Sequence, residues 1–208
     1  MNIGKNTIDL RSAVAFGLVF TILLSFVRFD AQCQEIRENV LRLHVLANSD
    51  ETYDQDLKLK VRDELLKVSD SCFSESITEQ EALAAAKENL ELLESTAKKV
   101  IREENFSYDV KVEIGKAHFD TRVYDNFTLP AGEYEAVRVL IGEAKGKNWW
   151  CVMFPPVCVP AAMPEHTIGE VLSEEQSEIV GNPSNYEIRF KTVEVFEKVK
   201  DFFKSKIK

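Results

Sequence analysis

Both tryptophans and two of the four cysteines fall in one short run, Asn148-Trp149-Trp150-Cys151-Val152-Met153-Phe154-Pro155-Pro156-Val157-Cys158. Thiols can attack an electrophile, hold a metal or pair with each other. A nucleophilic Cys151 would need a base, and neither a His nor an acid stands beside it in the sequence. A bridge between Cys151 and Cys158 is open: seven steps of straight strand cover roughly 23 Å. Pairing needs Cα atoms within about 7 Å, so the chain would have to reverse at Pro155-Pro156. Adjacent tryptophans on a strand point to opposite faces. One can enter the core while the other is left for solvent or a partner, or both can pack on nearby loops.

Other catalytic constellations are missing. His44, His118 and His166 are isolated, and none pairs with Glu or His at metal-ligand spacing. There is no Gly-x-Ser-x-Gly elbow, and the eight glycines are scattered rather than gathered into a phosphate loop. Asp54 and Asp56 read as acids favoured at a helix N-terminus. The expectation is a protein that is not an enzyme, with no catalytic residues, no metal and no cofactor.

The elements that must position the Trp-Trp-Cys run come next. Pro130-Ala131-Gly132 is a turn, followed by an apolar run to Ile141, so strands 134–141 and 148–154 read as a hairpin closed through Gly142 to Lys147. Pro155 and Pro156 cannot donate to a ladder and end the second strand or lie on an edge. Upstream, Leu41, Leu43 and Val45 alternate with Arg42, His44 and Leu46, the period of a strand. Asn48-Ser49-Asp50 then makes a turn. A helix over about 54–68 carries Leu57, Val61, Leu65 and Val68 as one stripe, leaving Lys58, Lys60, Arg62 and Lys67 as a partly basic outer surface.

A second helix starts at a capping box, Thr78 with Glu81, with Ile77 as staple, and runs to Glu104. Tyr108 to Ile114 alternates as a half-buried strand, and residues 115–129 form a less regular crossing. The class is α+β: an antiparallel sheet with two helices packed on one face. The domains are expected as 1–31, signal peptide or membrane anchor; 36–160, the α+β domain; 161–185, a linker with a short helix near 169–180; and 186–208, a strand-like start and a C-terminal amphipathic helix. That last helix suits the lysines at its end, and a basic, Phe-bearing helix can also lie on a membrane surface.

With 45% hydrophobic and 29% charged residues the 208-residue chain can bury a core. A net charge of -9 and the lack of a nucleic-acid motif argue against nucleic acid. Lys5 and Arg11 precede the charge-free run Ala13 to Val27, the length of a signal-peptide core and short for a spanning helix. The cleavage pattern is poor, offering only Ala31 or Ser25. The chain is therefore expected to be exported, either cleaved or kept as an uncleaved anchor.

Two stretches together resemble the stage II sporulation protein R family. One is Leu41-Arg42-Leu43-His44-Val45-Leu46-Ala47-Asn48-Ser49-Asp50 with Asp54 to Asp63. The other is Pro130 to Ala136 with Asn148-Trp149-Trp150-Cys151 and Pro155-Pro156-Val157-Cys158. Order and spacing agree over roughly residues 36–160, whereas 160–208 match nothing familiar. The resemblance implies a sporulation signal, exported into the space between forespore and mother-cell membranes. There it would activate a membrane-bound protease that processes a pro-sigma factor, pro-sigma-E; no small-molecule substrate is implied. The expected contact surface joins Asn48, Ser49, Asp50, Lys58 and Arg62 to Asn148, Trp149 and Trp150.

Overall fold

The computed structural model describes residues 10–74, 76, 78–124, 127–155 and 171–207. In chain order the elements are α1 (Leu10–Glu38), β1 (Leu41–Leu46), α2 (Thr52–Cys72), α3 (Glu79–Glu88), α4 (Leu90–Glu103), β2 (Val110–Phe119), β3 (Arg122–Val123), β4 (Thr128–Leu129), β5 (Gly132–Ile141), β6 (Asn148–Phe154), α5 (Glu174–Gly181), a 3-10 turn (Pro183–Asn185) and α6 (Glu187–Ile207). The class is α+β, as expected.

The sheet runs β2-β5-β1-β6, and β3 with β4 forms a separate ribbon. It is mixed rather than antiparallel, because β1 pairs parallel to β5 and antiparallel to β6. The expected hairpin is also corrected: β5 and β6 never pair, and β1 lies between them. The cause is burial. Leu41, Leu43 and Val45 pack into one core cluster while Arg42 and His44 are buried as well, so β1 needs neighbours on both edges. Residues 142–147 then bridge two strand spacings, about 10 Å, by passing over the C-terminal end of β1. β6 ends at Phe154, before Pro155, and Pro156 lies outside the described residues.

On one face lie α2, α3 and α4. Leu57, Val61 and Leu65 are buried and Val68 packs beside them, as the stripe requires. The capping box is present, with Glu81 N–H donating to Thr78 and the Thr78 N–H donating to Glu81; the staple residue Ile77 lies outside the described residues. The single long helix expected to Glu104 is two. Asn89 donates its side-chain amide to the Ala85 carbonyl at 2.9 Å and caps both α3 and α4, the local competition that takes Asn out of helix interiors.

The opposite face is covered by the ribbon, α5, α6 and the second half of α1. Phe29, Cys33 and Ile36 recur on one side of α1 and join Ile179, Val180, Phe190 and Val193 in a second core cluster. α1 is continuous from the exposed apolar residues of its first half into this docked half. α5 sits where a short helix was expected. The strand-like start at 186 is absent: Phe190 and Val193 turn inward at helical spacing, and helix runs from Glu187.

Candidate functional site

At the C-terminal end of β1 the chain is tied into a clasp. Gly146 N–H donates to the Ala47 carbonyl at 2.9 Å and Lys145 N–H to the Asn48 carbonyl at 3.2 Å. Glu143 N–H donates to Asn48 Oδ1 at 3.0 Å, and Lys147 N–H to Asp50 Oδ1 at 2.7 Å. Asn48 Nδ2 and Ser49 Oγ both donate to Asp54 Oδ2, at 2.8 and 2.6 Å. Gly142 is required here: its φ is +56°, and a Cβ would stand 2.3 Å from Asn48 Oδ1.

Asp54 is the hub. Burial pushes its carboxyl up, but hydrogen bonds from Ser49 and Asn48, with the Tyr108 hydroxyl beside it, outweigh that and hold it below the usual range. It does stand in the first turn of α2, as the sequence suggests. What the sequence does not show is that two turn side chains close onto it.

Lys58 is not part of an outer surface. It is buried, donating to the Lys147 carbonyl at 3.0 Å and to Gln55 Oε1 at 2.6 Å. Burial lowers its pKa, with Asp50 opposing. The expected basic face of α2 is in fact largely paired: Lys60 bridges Glu104, Arg62 bridges Asp63 and Lys67 bridges Glu64.

The two tryptophans diverge. Trp149, 36% exposed, has the Arg62 guanidinium 4.3 Å from its ring centroid. Trp150 turns to the other face, stacked on His44 at 3.8 Å and edge-on to Phe119 at 4.7 Å, with Arg122 5.5 Å away. So Asn48, Ser49, Asp50, Lys58, Arg62, Asn148 and Trp149 gather at one end of the sheet, and Trp150 does not join them. Asn48, Ser49 and Asp50 turn polar atoms inward to build this rim, and the aromatic it presents is Trp149.

Beneath Trp150 lies a feature that strand alternation disguised. Arg42 is fully buried; Nε donates to the Cys151 carbonyl at 3.1 Å and Nη2 to the Tyr124 hydroxyl at 2.7 Å. Its guanidinium lies 4.2 Å from the Phe119 ring centroid and 4.8 Å from that of Tyr134. Burial lowers its pKa, and no carboxylate pairs with it among the described residues. An apolar-polar alternation reads as half-exposed, and only the central place of β1 makes both faces interior.

Cys151 is buried and disulfide-bonded, so it offers no free thiolate for nucleophilic attack. Cys33 and Cys72 are free, and Cys158 lies outside the described residues. Among the described residues no group of three or more His, Cys, Asp or Glu could hold a metal ion. Ser12–Glu38 of α1 is long and apolar enough, by length and composition, to cross a membrane or serve as a signal.

Comparison with known proteins gives this geometry a family. The family described as Stage II sporulation protein R matches residues 37–163, from the end of α1 through β6. Stage II sporulation protein R of Bacillus subtilis (strain 168) is 34% identical over 141 residues, which cover 68% of this chain and 61% of that relative. The chain thus spans under two thirds of the relative's length, and no solved structure matches it. The clasp, the divergent tryptophans and the buried Arg42 all fall inside the matched residues, and the chain belongs to the stage II sporulation protein R family, with a role in sporulation.

Proposed function

We propose that this protein is an exported signal that activates a membrane-bound protease processing pro-sigma-E, acting in the space between forespore and mother-cell membranes. The carrying observation is Trp149, exposed and backed by Arg62 on a rim that the Asn48–Asp54 hydrogen bonds tie together. Tryptophan and arginine are the residue types that most often dominate a protein interface. The apolar first half of α1 supports export, as a signal or as an anchor. The contact surface is Asn48, Ser49, Asp50, Arg62, Asn148 and Trp149, with Lys58 supporting it from within and Trp150 packed on the opposite face, and Cys151 is bonded to Cys158. The mechanism is differential affinity: the rim binds the active arrangement of the protease more tightly than the resting one, and the population shifts.

Co-expression with the protease and its pro-sigma substrate in a non-sporulating host tests this reading. Cleavage should require the exported protein and should be lost when residues 13–27 are deleted; cleavage without export contradicts it.

The uncovered apolar residues of α6 favour a second reading, a membrane-tethered structural or envelope-binding module. It predicts that Val195→Ser with Val199→Ser abolishes function, whereas the signal tolerates that change.

A further inference from the structure

α6 is apolar on two sides. Phe190 and Val193, with the buried Glu197, face the body of the protein. At about 3.6 residues per turn, Ile188, Val195 and Val199 fall on the opposite side, and all three are exposed. Phe196 and Phe203, also exposed, border that stripe on the edge nearer α1. A helix packed on a protein needs one apolar face, and the second needs another apolar phase.

The same helix touches α1 where the apolar run of α1 ends. Phe26, Val27 and Asp30 of α1 line a cleft of about 190 Å³ with Thr192, Val193 and Phe196 of α6. Phe29 meets Phe190 edge-on at 5.5 Å. Arg189 of α6 also lies over the Phe29 ring, 5.7 Å from its centroid. If α1 stands across a bilayer, α6 meets it near the level where hydrocarbon gives way to headgroups. Basic residues flank the stripe, Lys191 and Lys198 along one edge and Arg189 and Lys200 along the other. The acids Glu194 and Glu197 lie on the body side, where they pair with Lys198 and Lys200. Lys204, Lys206 and Lys208 add charge in the sequence beyond.

We infer that the outward stripe of α6 docks on an anionic bilayer surface beside the α1 anchor, holding the α+β domain in a fixed orientation against the membrane. An apolar stripe edged by cations on a helix lying in the interface plane is the chemistry of such docking. The inference rests on α1 being retained as the anchor. It lies outside the residues that match the family.

The test places a nitroxide label on the full-length protein in vesicles of phosphatidylcholine and phosphatidylglycerol. Single cysteines replace Val199, Leu18 in the apolar run of α1, and Lys99 on the exposed side of α4. Cys72→Ser is the background, and Cys33 is too buried to react. The expected result is that Val199, like Leu18, shows a several-fold preference for oxygen over a nickel chelate relative to Lys99. A Val199 label as open to the chelate as Lys99, with Leu18 still protected, overturns the docking and leaves the anchor standing. A Leu18 label open to the chelate overturns the anchor and the docking with it. A Val199 label shielded from both reagents, with spin–spin broadening, shows a second copy on the stripe and also overturns the inference.

Discussion

His44 and Trp150 stack across the β1–β6 ladder, with ring centroids 3.8 Å apart and planes 14° from parallel. Among the described residues neither imidazole nitrogen makes a hydrogen bond of good geometry, and burial, helped by Arg138 and Arg42 and opposed by the nearby Asn148 side chain, pushes its pKa from 6.5 down to about 4. Between those two values the unfolded chain binds a proton that the folded protein does not, so stability rises with pH across that window. Acidification from 6.5 to 4 should cost on the order of 2–3 kcal/mol through this one residue. His44→Phe keeps a stacked ring and removes the proton. Denaturant titrations at both ends of the window should show the variant losing less stability than the parent, and parallel losses would contradict the assignment.

Asp54→Ala strands the amide of Asn48 and the hydroxyl of Ser49. An unsatisfied buried partner costs about 1–3 kcal/mol. Chemical denaturation should show a loss in that range, and amide exchange at Glu143 and Lys147, whose N–H groups bond Asn48 and Asp50, should quicken. Unchanged protection there would mean that the clasp is not what holds the loop.

Gly142→Ala forces a Cβ into a left-handed backbone and against Asn48 Oδ1. The conformational part alone is about 1–2 kcal/mol. A drop of at least that size is expected in thermal or denaturant unfolding, with a larger one if Asn48 cannot move. A neutral result would show that the turn has another conformation available.

The proposed pairing of Cys151 with Cys158 is checked by counting thiols in protein recovered from the exported fraction, unfolded without reductant. Two are expected, from Cys33 and Cys72. Four would show that no bridge is present.

Much of this fold is written in local periods. The α2 stripe, the Thr78 capping box and the opposed tryptophans follow from side-chain spacing alone and recur in the structure. What local pattern cannot carry is strand order. Nothing between Gly142 and Lys147 says that β1, a hundred residues earlier in the chain, will slot between β5 and β6. That insertion hides Arg42 and His44, makes the sheet mixed and turns a hairpin loop into a clasp. Lys58 was misplaced for a related reason: it lies off the stripe of α2, but the clasp loop folds over it and takes its charge onto a backbone carbonyl. At the site, Asn48, Ser49 and Asp50 were legible as a turn. Their inward grip on Asp54 was not, since it depends on how the turn enters α2.

The most direct measurement is pro-sigma cleavage in the co-expression host, comparing the parent protein with Trp149→Ala and Trp150→Ala. Trp149 packs on Arg62 near the surface, so its truncation should leave stability nearly unchanged and reduce cleavage about tenfold or more, as loss of an interface anchor does. Trp150→Ala should instead unfold part of the population, costing about 2–4 kcal/mol for a half-buried ring, and lower cleavage in step with the amount of folded protein. A stable Trp149→Ala protein that activates the protease as well as the parent would contradict the proposed surface.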